Sequence, residues 1–149
     1  MRQLNTKAVI ATPAKAVTNF KNGLYCSEAI LKAFNDDYHL GLNDQVLAIA
    51  TGFGAGLGGA KCCCGSITGG ALVLSLTTGR VSAEQSEQVC FQIVKSLHDQ
   101  FRSRFGKTCC RALTKSVEWG SDEHHQYCER YVEAAAQITE DLLQKYLNG

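Results

Sequence analysis

Residues 52–70 read Gly52-Phe53-Gly54-Ala55-Gly56-Leu57-Gly58-Gly59-Ala60-Lys61-Cys62-Cys63-Cys64-Gly65-Ser66-Ile67-Thr68-Gly69-Gly70, with eight glycines and three adjacent cysteines in nineteen positions. Glycine supplies positive φ cheaply and lets backbone approach backbone or ligand where a Cβ would clash. Thiolates bind soft metals and carry redox chemistry. Such a stretch is poor core material. It predicts a tight sulfur-bearing loop, and every other cysteine is judged by whether the fold can bring it there.

Reading outward toward the C-terminus, Ser66 or Thr68 can cap a helix, and Ile67 to Thr77 is almost wholly apolar. Small residues and paired glycines favour a buried, closely packed helix ending at Gly79 over a strand. Ser82-Ala83-Glu84-Gln85 fits a capping box that opens a long helix. Cys90, Ile93, Val94, Leu97, Phe101 and Phe105 run down one side of that helix, and Gly106 closes it. Cys109 to Leu113 reads as a short helical turn or loop. Ser121 and Asp122 begin a last helix with the stripe Cys128, Tyr131, Val132, Ala135, Ile138 and Leu142.

Toward the N-terminus, Asn43 or Asp44 caps a short helix from Gln45 to about Thr51. Cys26, Ala29, Ile30, Ala33 and Phe34 mark one face of a helix that fades at Asn35-Asp36-Asp37. Residues 5–20 suggest a first surface helix interrupted near Pro13. No strand alternation and no internal repeat appears. The expected fold is all-α: one domain over residues 1–149, a bundle of five or six helices around the Gly/Cys-rich loop.

Composition sets the outer bounds. Fifteen basic against fourteen acidic residues leave a net charge of +1, so no electrostatic footprint for nucleic acid exists. The longest uncharged run, residues 62–79, is 18 residues, still short of the ~20 of a membrane span and rich in glycine, serine and threonine, and the longest apolar run near the start, Ala8 to Ala11, is too short for a signal-peptide core. The expectation is a soluble, cytoplasmic chain. There, eight cysteines in 149 residues point to metal or redox chemistry rather than a disulfide framework.

The cysteines differ in their surroundings. Cys26, Cys90 and Cys128 lie on apolar helix stripes, and for Cys90 a small buried hydrophobe is the preferred reading. Cys64 precedes a predicted helix, whose dipole and free N–H groups stabilise a thiolate. Cys110 belongs to a vicinal pair near glycine and charge. C-x-x-C is absent, which excludes paired zinc knuckles and covalent haem attachment. Ligands at Cys26, Cys64, Cys110 and Cys128 have to be assembled by the fold. An iron–sulfur cluster permits that, since it brings its own bridging sulfides and needs only four thiolates. Bare N–H groups of the loop, at Gly54, Gly56, Gly58 and Gly65, can then donate to cluster or thiolate sulfur.

Other signals are weaker. Gly54 to Gly59 satisfies G-x-G-x-x-G, but no strand precedes it and no βαβ unit surrounds it. His124 and His125 open the last helix and read as solvated. His39 and His98 have no ligand-like spacing to any cysteine.

Cys26 before an alanine-rich helix, Gly52 to Gly58, Cys64-Gly65-Ser66-Ile67-Thr68-Gly69, Cys110 and Cys128 together resemble the C_GCAxxG_C_C family of redox-active proteins over about residues 22–143. The family's Cys-Gly-Ala-x-x-Gly stands here as Cys-Gly-Ser-x-x-Gly. The resemblance implies a small helical protein with an iron–sulfur centre serving electron transfer to a redox partner that the sequence does not name. The family is similar to a domain of split-Soret cytochromes, whose haem motifs this chain lacks. Cys62, Cys63 and Cys109 are surplus to the family pattern: extra metal ligands, vicinal disulfides, or packing residues. The rival readings are a metal-free thiol–disulfide protein with Cys64 as nucleophile, and a zinc or copper(I) binder without redox turnover.

The glycine loop also suggests assembly. Its apolar, nearly uncharged remainder, Gly52 to Gly59, is an unusual patch for a monomer, and predicts a homodimer with the loop and the Cys64 region near a two-fold axis. A bulky residue at Gly56 is then expected to weaken dimer and metal retention together.

Overall fold

The computed structural model describes residues 12–149, and among these the chain forms seven α-helices, a 3-10 turn at Ala50–Phe53 and no strand. They are α1 (Thr12–Lys21), α2 (Cys26–Asp37), α3 (Asp44–Ile49), α4 (Gly65–Thr78), α5 (Gln88–Phe105), α6 (Cys110–Leu113) and α7 (Asp122–Asn148). The all-α expectation holds. The count exceeds five or six because the segment expected as a short helical turn or loop forms the four-residue helix α6.

Several helix starts follow from their caps. Asn43 Oδ1 accepts from Val46 N–H at 3.0 Å and opens α3. Ser121 Oγ accepts from His124 N–H at 3.1 Å and opens α7. Pro13 does not interrupt α1; it lies in the first turn, where a missing N–H costs nothing. The part of the expected first helix before residue 12 lies outside the described residues. The capping box expected at Ser82 also gives way: Gln85 Oε1 accepts from Val81 N–H at 2.8 Å and Ser82 N–H at 3.3 Å, closing a turn. The long helix α5 therefore starts only at Gln88.

α4 is the central element. It is apolar around most of its circumference, and it packs against α2, α5 and α7. Gly69 permits a close backbone-to-backbone approach to α2, since a Cβ there would stand 2.9 Å from Ser27 Cα and 3.0 Å from Ser27 O, and Gly70 leaves room for α7, where a Cβ would stand 2.3 Å from Thr139 Oγ1. The core around it holds Ile30, Phe34, Leu74, Leu97, Phe101, Val132 and Leu143. Each such side chain contributes about 1.5–3 kcal/mol through burial. α1 is clamped to α2 by Thr12 Oγ1, which donates to Asp37 Oδ2 at 2.9 Å, and by the Lys15–Asp37 ion pair. Tyr38 ties α2 to α7, donating to Glu140 Oε1 at 3.1 Å and accepting from Gln144 Nε2 at 2.8 Å. Among the described residues no helix is long and apolar enough to cross a membrane.

The glycine loop is a left-handed turn. Ala55, Gly56, Leu57, Gly58 and Gly59 all have positive φ, as does Lys61. At Ala55, Leu57 and Lys61 this costs roughly 1–2 kcal/mol each, because a Cβ crowds the following carbonyl. Backbone bonds hold it: Lys61 N–H to Ala55 O at 3.1 Å and Cys62 N–H to Gly56 O at 2.9 Å. Gly56 is irreplaceable on space as well as φ, since a Cβ there would meet Cys62 N at 2.5 Å.

Candidate redox site

The turn delivers Cys64 to the start of α4, where it is the residue before the first helical one and is buried. α2 begins with Cys26, α6 with Cys110, and α7 carries Cys128. These four cysteines, from four separate helix environments, line one cavity of about 320 Å³. Its other walls include Phe20, Leu24, Tyr25, Leu113, Trp119 and Tyr131. No carboxylate lines it.

The thiols pair across this space. Cys64 accepts a hydrogen bond from Cys110 and from the backbone N–H groups of Ser66 and Ile67. Foremost the Cys110 bond, then the helix-start donors, pull its pKa down to about 7 against the cost of burial. Cys110 is correspondingly pushed far up by donating to Cys64 and by burial, while Gly65 N–H reaches its sulfur. Cys26 is raised by its hydrogen bond with Cys128 and by burial. Ser66 Oγ is fully buried and has no hydrogen-bond partner of good geometry, yet it lies close enough to Cys26 and Cys64 to favour both thiolates. A hydroxyl at this position is the chain's own departure from the Cys-Gly-Ala pattern.

His124 corrects the reading of a solvated residue. It is buried, its ring 4.3 Å from that of Trp119, and its Nε2 lies 3.6 Å from Cys128 Sγ. Gly120 N–H donates to Nδ1 at 3.1 Å, so the imidazole proton is on Nε2 and faces the sulfur. Burial, then His125 and Lys61, holds its pKa down. Lys61 lies over the Trp119 ring at 4.4 Å, covering that side of the site. His125 is exposed, as expected, though its ring also lines the cavity.

The remaining predicted site residues divide. Gly65 reaches a site sulfur through its N–H. Gly54 is buried against Tyr25, Gly56 inside the turn, and Gly58 is exposed; none of the three lines the cavity. Cys62, Cys63 and Cys109 stand outside its walls too. Cys90 is half-buried beside Ser75 Oγ at 3.6 Å, away from the site.

Four thiols, helix-start amides and a buried imidazole surround a carboxylate-free cavity on a small helical scaffold. The family model described as "Putative redox-active protein (C_GCAxxG_C_C)" matches residues 24–142, and the chain belongs to that family. No curated protein and no solved structure matches it.

Proposed function

We propose that the chain is an electron-transfer protein holding an iron–sulfur cluster through Cys26, Cys64, Cys110 and Cys128. One observation carries this reading: four thiols from four separate elements converge on one cavity of about 320 Å³. The donor set fits such a group. It is all sulfur, and the unpartnered Ser66 hydroxyl is a buried polar atom facing two of the sulfurs. Among the described residues no three His, Cys, Asp or Glu side chains close on a single point as one ion requires. A cluster takes thiolates spread around it.

When bound, the cluster supplies one-electron redox chemistry. The chain's own residues hold and tune it. Gly65, Ser66 and Ile67 N–H groups, the Ser66 hydroxyl and His124 Nε2–H place positive dipole ends at the sulfurs, which favours the more negative redox state. Trp119, Phe20, Tyr25 and Leu113 give the sulfurs apolar walls. The electron is exchanged with a partner protein, and a cytoplasmic, reducing setting keeps the thiols free.

The hydrogen-bonded pairs Cys64–Cys110 and Cys26–Cys128 support a second reading, a metal-free dithiol/disulfide protein. Anaerobic reconstitution of single serine variants separates the two. Serine at Cys26, Cys64, Cys110 or Cys128 is expected to abolish or bleach the iron–sulfur visible absorption, while serine at Cys62 leaves it unchanged. A wild-type chain that stays colourless and reversibly loses thiols in pairs supports the second reading instead.

A further inference from the structure

Cys63 and Cys109 line no part of the cavity. They face each other in an isolated antiparallel bridge, flanked by Cys64 N–H donating to Thr108 O at 2.8 Å and Cys110 N–H donating to Cys62 O at 2.7 Å. Because those bonds flank the pair rather than join it, Cys63 and Cys109 occupy a non-hydrogen-bonded position. Opposed Cα atoms are about 4.5 Å apart there, and their side chains leave from the same face. That separation lies inside the roughly 4.4–6.8 Å window of a disulfide. Backbone alternation sends the adjacent Cys64 and Cys110 to the opposite face. Burial agrees, since Cys64 and Cys110 are buried while Cys63 and Cys109 are only partly covered.

We propose that Cys63 and Cys109 are a second redox site, a dithiol that small-molecule disulfides such as oxidised glutathione convert to an intramolecular disulfide, back to back with the four-cysteine cavity. Cys109, as thiolate, attacks one sulfur of the glutathione disulfide. The S–S bond breaks, and the first glutathione leaves with the electron pair and takes up a proton. Cys63 gives its proton to solvent and attacks Cys109 Sγ, expelling the second glutathione. Two protein thiols are oxidised by two electrons, and one glutathione disulfide is reduced to two thiols. The step orphans no polar group. Cys109 Sγ gives up its bond to Lys61 O at 3.0 Å, and that carbonyl keeps Arg111 N–H at 3.1 Å. The bond staples the two segments that deliver Cys64 and Cys110, whatever fills the cavity.

The test is incubation of the full-length chain with oxidised glutathione, alkylation of the remaining thiols, and fragment mass spectrometry. The expected product joins Cys63 to Cys109, carries no glutathione, and reverts with excess reduced glutathione. Cys63→Ser is expected to trap glutathione on Cys109. A link from Cys109 to Cys62 or Cys64, a Cys62–Cys63 vicinal bond, a lasting glutathione adduct on the unaltered chain, or no reaction at either residue overturns the proposal. If the variant does not fold, the product formed by the unaltered chain is sufficient to decide between these outcomes.

Discussion

His124 Nε2 stands 3.6 Å from Cys128 Sγ, one turn earlier on the same helix, with its proton fixed toward the sulfur by the Gly120 N–H bond to Nδ1. A neutral donor at a thiolate is worth about 1 kcal/mol, or roughly 40 mV for one electron. His124→Leu is therefore expected to lower the midpoint potential of the loaded protein by about that amount. His124→Gln, which keeps an N–H near the same place, is expected to recover most of it. Protein-film voltammetry reads the shift, and equal potentials for all three proteins would remove His124 from the site.

Two loop glycines separate backbone conformation from space. Gly56 and Gly58 both have left-handed φ, so alanine at either costs roughly 1–2 kcal/mol. Only at Gly56 does the added Cβ also strike the Lys61–Cys62 backbone. Gly56→Ala is expected to be clearly the more destabilising in urea unfolding and to displace Cys64 from the cavity. Because Gly56 is buried in the turn, this substitution does not report on a dimer contact; the exposed Leu57 is the position to change for that. Equal midpoints for the two alanine variants would contradict the loop geometry.

The packing of α4 on α2 makes a parallel prediction. Gly69→Ala places a methyl group 2.9 Å from Ser27 Cα, and overpacking of this kind costs about 1–3 kcal/mol. An unfolding midpoint unchanged from the parent chain would mean that the two helices are not in such close contact.

The pH dependence of the cofactor-free chain follows from Cys64. Its folded pKa of about 7 lies below its ordinary value of 9.0, so the fold favours the thiolate. Its contribution is present above 9 and is lost as pH falls through about 7, so stability rises between pH 7 and 9. Cys26 and Cys110 are shifted upward, and their contribution declines only above that window. Cys64→Ser is expected to flatten the slope between pH 7 and 9 in denaturant titrations. A slope retained by the variant would assign the effect to another group.

Much of this was legible from local pattern. The stripes of α2, α5 and α7, the Asn43 and Ser121 caps, and Cys64 at a helix start all follow from nearest neighbours in the chain. What was not legible depends on distant contacts. The Ser82–Gln85 pattern has the residue types of a capping box, but the Gln85 side chain closes a turn instead. His124 reads as solvated because its neighbours are polar, and only the folding back of Trp119 and Gly120 buries it. Its spacing of one turn from Cys128 was the signal that could have found it. Glycine content foretold positive φ in the loop, but not that Ala55, Leu57 and Lys61 would share it. The cavity itself joins residues from both ends of the described chain, and no window of sequence contains it.

Whether Cys26, Cys64, Cys110 and Cys128 hold an iron–sulfur cluster is decided by elemental analysis of the loaded chain. The full chain is purified without oxygen, reconstituted with iron and sulfide, freed of unbound metal, and assayed for iron, acid-labile sulfide, zinc and copper. Iron and sulfide are expected in equal, stoichiometric amounts, retained by the Cys62→Ser chain and lost from the Cys64→Ser chain. A colourless protein carrying neither element, or one carrying stoichiometric zinc or copper without sulfide, would contradict that assignment.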